Sequence, residues 1–400
     1  MQIPTTLPSL AAADLSTYWP GFQAVAYAVY DDESVYLFNH PNYPQELYTQ
    51  LPWSEAFVGN TLIQFHDYPT AIVRRADCAD DVELVAVMVH ELFHGYQNLQ
   101  GELRFPDEVQ GVLYPLDTEN AALRALERYY LYHAVLPTDK MARDRHLRQF
   151  IVYRQKRMAA LGTSMQYELL TETLEGPAFY VESKVMMEHS DLLDVEIVRN
   201  YGEGLLDKED TVRHIRKSCY SSGVFLCYVL DRIRPNWQEE LFASDVTLYS
   251  LVQQSVEFRE DTVIEPVEPL EVSDELLEIL SRVKAERAAA FAEAEQSAAA
   301  KLTINGDFKI VGFDPMNIVL GHQRALHNRF IRVEILGSPY LFRRPVIAEY
   351  RTDLFRSPQL TLLLDEQPEV REDGVFVPGI GELPGRYEAD TFTLTVTDNK

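Results

Sequence analysis

The stretch Asp80-Asp81-Val82-Glu83-Leu84-Val85-Ala86-Val87-Met88-Val89-His90-Glu91-Leu92-Phe93-His94-Gly95 decides how this chain is read. It is apolar at most positions from Val82 onward, so it predicts a helix over about 82–98 that is buried on most of its surface. Asp80 offers an N-cap, and Glu83 three residues later resembles a capping-box partner. Gly95 and Gly101 mark where the helix is expected to loosen and end. Inside it, His90-Glu91-Leu92-Phe93-His94 has the form H-E-x-x-H. Positions i and i+4 share one helix face, so the two imidazoles can bind a single Zn²⁺ at about 2.0–2.1 Å each. Glu91 lies beside the first histidine, placed to act as a base on water without ligating the metal. Two imidazoles and a carboxylate in so apolar a helix are costly to bury without a metal or other partner.

Upstream, 22–30 and 34–38 flank the turn-forming pair Asp31-Asp32 and read as a hairpin; 57–65 and 70–74 are extended. Downstream, helical spacing runs over 117–135, over 138–161 closed by Gly162, over 164–188, and over 219–233. Pro177 is expected to kink or split the third of these. Residues 260–272, rich in Pro, Val and Glu, read as a linker, and 273–300 as a long helix of strong formers acting as a structural spacer. Beyond it the period changes to two: Asn305-Gly306 between alternating runs predicts a hairpin, and 328–336, 345–350, 359–364 and 391–397 look extended. The fold class is therefore α+β, with a small N-terminal sheet, a buried helix, a helical middle and a β-rich C-terminal region.

Catalytic zinc normally keeps three protein ligands and one open position, so a third ligand is needed. Leu174-Glu175-Gly176-Pro177-Ala178-Phe179-Tyr180-Val181-Glu182 resembles the E-G-x-A-x-Y-x-E element of gluzincin peptidases. With His90 to His94 and the upstream sheet, the chain resembles the gluzincin (MA-type) zinc metallopeptidases over about residues 20–235. The resemblance implies that His90, His94 and Glu175 hold Zn²⁺, that Glu91 is the general base, and that small Gly176 and Ala178 allow close helix approach. It also implies that Glu172 orients an imidazole N–H. Glu119, 25 residues beyond His94 where Glu175 lies 81 beyond it, is a rival third ligand. A donor for a developing oxyanion is expected opposite the base; Tyr220 in Ser218-Cys219-Tyr220 is the first candidate and Tyr180 the second. On this reading 1–265 form a zincin-like domain (1–101 the sheet and active-site helix, 102–265 helical), 266–300 a linker and long helix, and 301–400 a β-rich domain.

The 400 residues carry a formal net charge of −26, which argues against nucleic acid and anionic membrane as partners. No apolar run of 18 residues and no basic-then-apolar leader is present, and Cys78, Cys219 and Cys227 are scattered, so a cytoplasmic protein is expected. The basic run from Lys140 to Arg157 reads as a solvated face pairing with acidic neighbours, or more sharply as an anchor for a substrate carboxylate. The expected partner is a peptide or protein substrate. The competing readings are a catalytically silent peptidase-like binding or scaffolding protein, and a zinc hydrolase acting on another bond.

Overall fold

The computed structural model describes residues 6–43, 47–136, 139–257, 272–351 and 353–396; the linker read at 260–272 lies outside them except for its last residue. The architecture is mixed α+β: an N-terminal sheet, a helical middle and a β-rich C-terminal region. Two compact units divide it, one of Met1–Asp107 and Pro115–Leu276, the other of Glu108–Tyr114 and Leu277–Lys400.

In the first unit, Ala26–Tyr30 (β1), Ser34–Phe38 (β2), Thr49–Pro52 (β3), Thr61–Phe65 (β4) and Tyr68–Arg74 (β5) form one sheet in the order β3-β2-β1-β5-β4. The β1–β2 hairpin is closed by Asp31, whose carboxylate accepts from the N–H groups of Glu33 (3.0 Å) and Ser34 (2.8 Å). β5 runs parallel to β1. Side chains alternate as the pleat requires: Tyr27, Val29, Ala71 and Val73 join the main core, while Ala28, Tyr30, Ile72 and Phe57 form a smaller cluster.

Asp81–Leu99 (α1) packs against β5. Asp80 caps it by accepting from the Glu83 N–H at 2.8 Å, and the Glu83 carboxylate turns back to the N–H of Ala79, one residue before the cap. The helix does not loosen at Gly95. It runs on to Leu99, and Gly95 is there because a Cβ at that position would stand 2.3 Å from Val25 Cγ2 on the sheet side. Gly101, at φ +75°, supplies the left-handed residue after the helix end.

After the short Glu108–Val112 (α2) come Thr118–Val135 (α3), Lys140–Leu161 (α4), Met165–His189 (α5), Asp194–Leu206 (α6), Lys208–Arg213 (α7), Ile215–Ile233 (α8), Trp237–Ala243 (α9) and Leu248–Ser255 (α10). α5 is the central helix, packed on both α1 and α8. Pro177 does not split it: α5 is helical from Met165 to His189, its flanks held by the neighbours it packs against. Gly176 serves α8. A Cβ on Gly176 would lie 2.6 Å from the Gly223 carbonyl carbon, and one on Gly223 would lie 2.7 Å from Gly176 Cα, so the two backbones touch directly.

The basic run on α4 is only partly a solvated face. Lys140, Arg145 and Lys156 are exposed, but Arg154 and Arg157 are fully buried together with Arg124 and Arg128 of α3 and with Glu127, Glu168 and Glu172. Arg154 holds Glu172 through two hydrogen bonds (2.7 and 2.8 Å) and lies 2.6 Å from Glu127. Arg157 bonds Glu127 and Glu168, and Arg124 bonds Glu168. Mutual pairing is the condition on which charges enter a core. Here burial alone would raise Glu168, and the surrounding guanidiniums of Arg124, Arg157, Arg128 and Arg154 hold it well below the usual carboxylate range instead.

In the second unit, Ala300–Phe313 (β6), Ile318–Leu320 (β7), Arg324–His327 (β8), Ile331–Ile335 (β9), Ser338–Phe342 (β10), Val346–Glu349 (β11) and Arg356–Leu364 (β12) lie in the order β10-β9-β6-β12-β11-β8-β7. Asp274–Ser297 (α11) runs into this unit as more than a spacer, with Phe291 packed on Leu326, Ile347 and Leu363. The expected hairpin at Asn305-Gly306 does not form. β6 is one 14-residue strand, neither residue has the positive φ that a two-residue hairpin turn requires, and Asn305 Oδ1 accepts from Gln359 across the ladder to β12. A strand paired along both edges outweighs a local turn preference; Gly306 instead leaves room for the Phe308 ring. Among the described residues no helix is long and apolar enough to cross a membrane.

Candidate metal centre

α1 and α5 meet at the sheet-side cleft, and α1 turns His90 and His94 toward α5. The i, i+4 spacing brings the two Nε2 atoms to 3.1 Å. Glu175 Oε2 lies 3.5 Å from His94 Nε2 and 3.9 Å from His90 Nε2. Donors at about 2.0–2.2 Å around a tetrahedral cation stand roughly 3.3–3.6 Å apart. The three observed separations bracket that range, and all three ligand atoms lie within 4.8 Å of one another. The group is buried, with Glu175 at 8 % exposure. Two imidazole nitrogens and a carboxylate oxygen form a donor set that suits a divalent cation.

The partners around these side chains fix their orientation. His94 Nδ1 is 2.7 Å from Gln97 Oε1, and Gln97 Nε2 donates to the Leu174 carbonyl at 2.8 Å. The amide thus takes the Nδ1 proton, leaves the Nε2 lone pair facing the cleft, and ties α1 to the turn of α5 that carries Glu175. His90 Nδ1 lies 2.8 Å from Glu182 Oε2, at an angle that falls short of a hydrogen bond, and Tyr201 donates to the other oxygen of Glu182 at 2.6 Å. Arg216 donates to Glu175 Oε1 at 2.9 Å.

The electrostatics follow from these contacts. Burial alone would depress His94, but the Glu175 carboxylate 3.5 Å from its Nε2 outweighs it and raises the ring to about 9. Burial likewise pushes Glu175 up, and His94, then His90 and Arg216, bring it down to about 2. Glu91, buried in the same cleft, is raised, chiefly by burial and against the pull of both imidazoles. Tyr220 is raised to about 12, by burial first and Glu175 second, with Arg216 opposing. The cleft has a volume of about 510 Å³. Asn60 and the first two residues of β4, Thr61 and Leu62, border it on an edge strand of the sheet, and Phe105, Phe179 and Tyr220 supply apolar wall.

Of the residues singled out in the sequence, His90, Glu91, His94, Glu175 and Tyr220 come together here. Glu119 does not: it sits exposed in the first turn of α3 and is no member of the ligand group. Glu172 is corrected from an imidazole partner to a member of the buried arginine cage, where it also accepts from Ser222. Tyr180 donates to Asp231 and packs on Trp237, away from the cleft lining. Gln97, Glu182, Arg216 and Phe179 carry no role in the sequence reading. Spacing held a signal for three of them. Gln97 follows His94 by three, Glu182 follows Glu175 by seven, and Arg216 precedes Tyr220 by four, so each shares a helix face with a candidate. No protein-family model matches the chain, and no curated protein and no solved structure matches it either.

Proposed function

We propose that this protein is a zinc-dependent peptide hydrolase of gluzincin type. The observation that carries the reading is the convergence of His90 Nε2, His94 Nε2 and a Glu175 carboxylate oxygen, with Glu91 lining the same cleft. His90, His94 and Glu175 would hold the ion. When bound, Zn²⁺ supplies Lewis acidity at an open position and lowers the pKa of water there from 15.7 toward about 7. Glu91 takes the proton of the attacking water and passes it to the leaving amine. Its upward shift suits that work, because a base is most effective when its pKa approaches the working pH. Tyr220 donates to the carbonyl oxygen as negative charge develops on it. The Asn60–Leu62 border gives an extended peptide backbone an edge beside which to lie.

Metal content and turnover test the reading together. Glu175→Ala is expected to purify without stoichiometric zinc, while Glu119→Ala keeps it. Glu91→Gln is expected to keep zinc and lose about 10²–10⁴-fold in kcat on any peptide the native chain cleaves, the range for removing a general base. Zinc retained in full by Glu175→Ala, or turnover undiminished in Glu91→Gln, refutes the assignment.

A further inference from the structure

Arg216 and Tyr220 stand one turn apart on α8 and both face the cleft beside Glu175. A single guanidinium makes two directed bonds there. Nη2 donates to Glu175 Oε1 and Nε donates to Tyr220 Oη, each at 2.9 Å. These two bonds determine what is left over on each partner. A phenol carries one hydrogen. Because the Tyr220 oxygen accepts from Arg216, its own hydrogen is directed away from the guanidinium, and no acceptor among the described residues takes it. The ring is held in place as well. Phe179 stacks on it at 4.9 Å and 27°, and Phe179 in turn meets His90 edge-on at 4.5 Å. Glu175 is constrained by the same fork. With Oε1 occupied, the oxygen left for a cation is Oε2, the one that faces both imidazoles.

Resting on the peptidase reading above, we propose that Arg216 is a positioning residue of the reaction. Its fork limits Glu175 to ligation through one oxygen and at the same time aims the Tyr220 hydroxyl at the developing oxyanion. The task requires arginine. A planar guanidinium presents donors at fixed angles to two acceptors, whereas a lysine ammonium is a point charge on a flexible stem.

The test uses the full chain, loaded with Zn²⁺ for kinetics and with Co²⁺ for visible spectroscopy, as Arg216→Met, Arg216→Lys, Tyr220→Phe and the Arg216→Met/Tyr220→Phe double variant. Thermal midpoints are compared first; should Arg216→Met not fold, Arg216→Lys carries both measurements. On a peptide that the native chain cleaves, Arg216→Met and Tyr220→Phe are each expected to lower kcat about 100-fold, the scale for losing one oxyanion donor, with KM changed less than about threefold. The double variant is expected to fall no more than about threefold below the singles, because both changes remove one unit. Arg216→Lys is expected to stay within about tenfold of Arg216→Met. The Co²⁺ spectrum is expected to change in Arg216→Met and Arg216→Lys, where Oε1 is released, and not in Tyr220→Phe. Losses that multiply in the double variant, native kcat in Arg216→Lys, or a native Co²⁺ spectrum in Arg216→Met overturn the proposal. A native chain that binds cobalt but cleaves no peptide removes the peptidase reading and the Tyr220 role with it, while the spectra still decide the hold on Glu175 by themselves.

Discussion

Gly223→Ala tests whether the contact between α5 and α8 is what delivers Arg216 and Tyr220 to Glu175. The added Cβ would stand 2.7 Å from Gly176 Cα and 2.8 Å from the Glu172 carbonyl oxygen, against about 3.4 Å for ordinary contact. Both obstacles are backbone, so no side chain can swing aside, and α8 must retreat by about 0.7 Å. Overpacking of this kind costs about 1–3 kcal/mol, and alanine returns up to about 1 kcal/mol as the better helix former. The net expectation is a loss of about 1–2 kcal/mol, or a midpoint lowered by about 2–4 °C in a unit of this size. Tryptophan emission reads it cleanly, because Trp19, Trp53 and Trp237 all lie in the first unit, and Trp19 and Trp237 are each 1 % exposed. The same retreat stretches the Arg216–Glu175 bond from 2.9 Å to about 3.6 Å, which is no longer a hydrogen bond. Zinc affinity should fall along with the midpoint. A Gly223→Ala protein as stable as the native one, with unchanged zinc affinity, refutes the argument at its root.

Three further changes address other parts of the molecule. Glu172→Gln removes the carboxylate that Arg154 grips twice and leaves a buried guanidinium short of its counter-charge; it should cost about 3–5 kcal/mol in urea unfolding followed by tryptophan emission. Gln97→Leu takes away the acceptor that orients His94 and should weaken zinc binding about 10–100-fold in a competition titration, whereas unchanged affinity means the ring needs no such guide. His327 is 2 % exposed, neither ring nitrogen has a hydrogen-bond partner among the described residues, and burial lowers its pKa to about 4. Its folded pKa thus lies below the unfolded value of about 6.5, so its neutral form is the native one. Stability of the second unit is whole above pH 6.5 and declines by about 3 kcal/mol as pH falls toward 4. Far-ultraviolet circular dichroism not mirrored in tryptophan emission should show the decline, and His327→Phe should flatten it; an acid limb unchanged in that variant shows the loss comes from elsewhere.

Local periodicity made much of the architecture legible. The β1–β2 hairpin, α1 with its Asp80 cap, and the helices α3, α4, α5 and α8 all follow from spacing and from turn or cap chemistry that acts over a few residues. The failures share one cause, which is contact between segments distant in sequence. Asn305-Gly306 has the composition of a tight turn, and only strands 20 to 90 residues away pull it straight. Gly95 looks like a helix weak point until Val25, 70 residues earlier, is placed against it. Glu172 looks like a neighbour of the candidate metal site because it is three residues from Glu175, yet Arg154 of α4 claims it. In the site itself the i, i+4 imidazoles could be read directly. Of the two parts contributed by α8, Tyr220 is a candidate in the sequence and Arg216 is not, because only the contact of α8 with α5 shows that Glu175 lies within reach of its guanidinium.

The buried charges and the candidate metal site are two ends of one feature. Glu168, Glu172, Glu175 and Glu182 stand at i, i+4, i+7 and i+14 on α5. At about 100° per residue they fall within a stripe about 80° wide. In sequence such a stripe reads as a wet face, but Glu168 and Glu172 are fully buried and Glu175 nearly so. The first two are matched by arginines of α3 and α4, the third turns one oxygen to the imidazole pair, and the fourth lies beside His90. Buried ion pairs add little net stability over an apolar core, but unpairing one costs several kcal/mol. Rotating α5, or sliding it by one turn, would unpair at least two carboxylates at once. The cage therefore selects the single rotation of α5 that points Glu175 at His90 and His94, which is a use for buried arginines that an apolar core of equal volume could not serve.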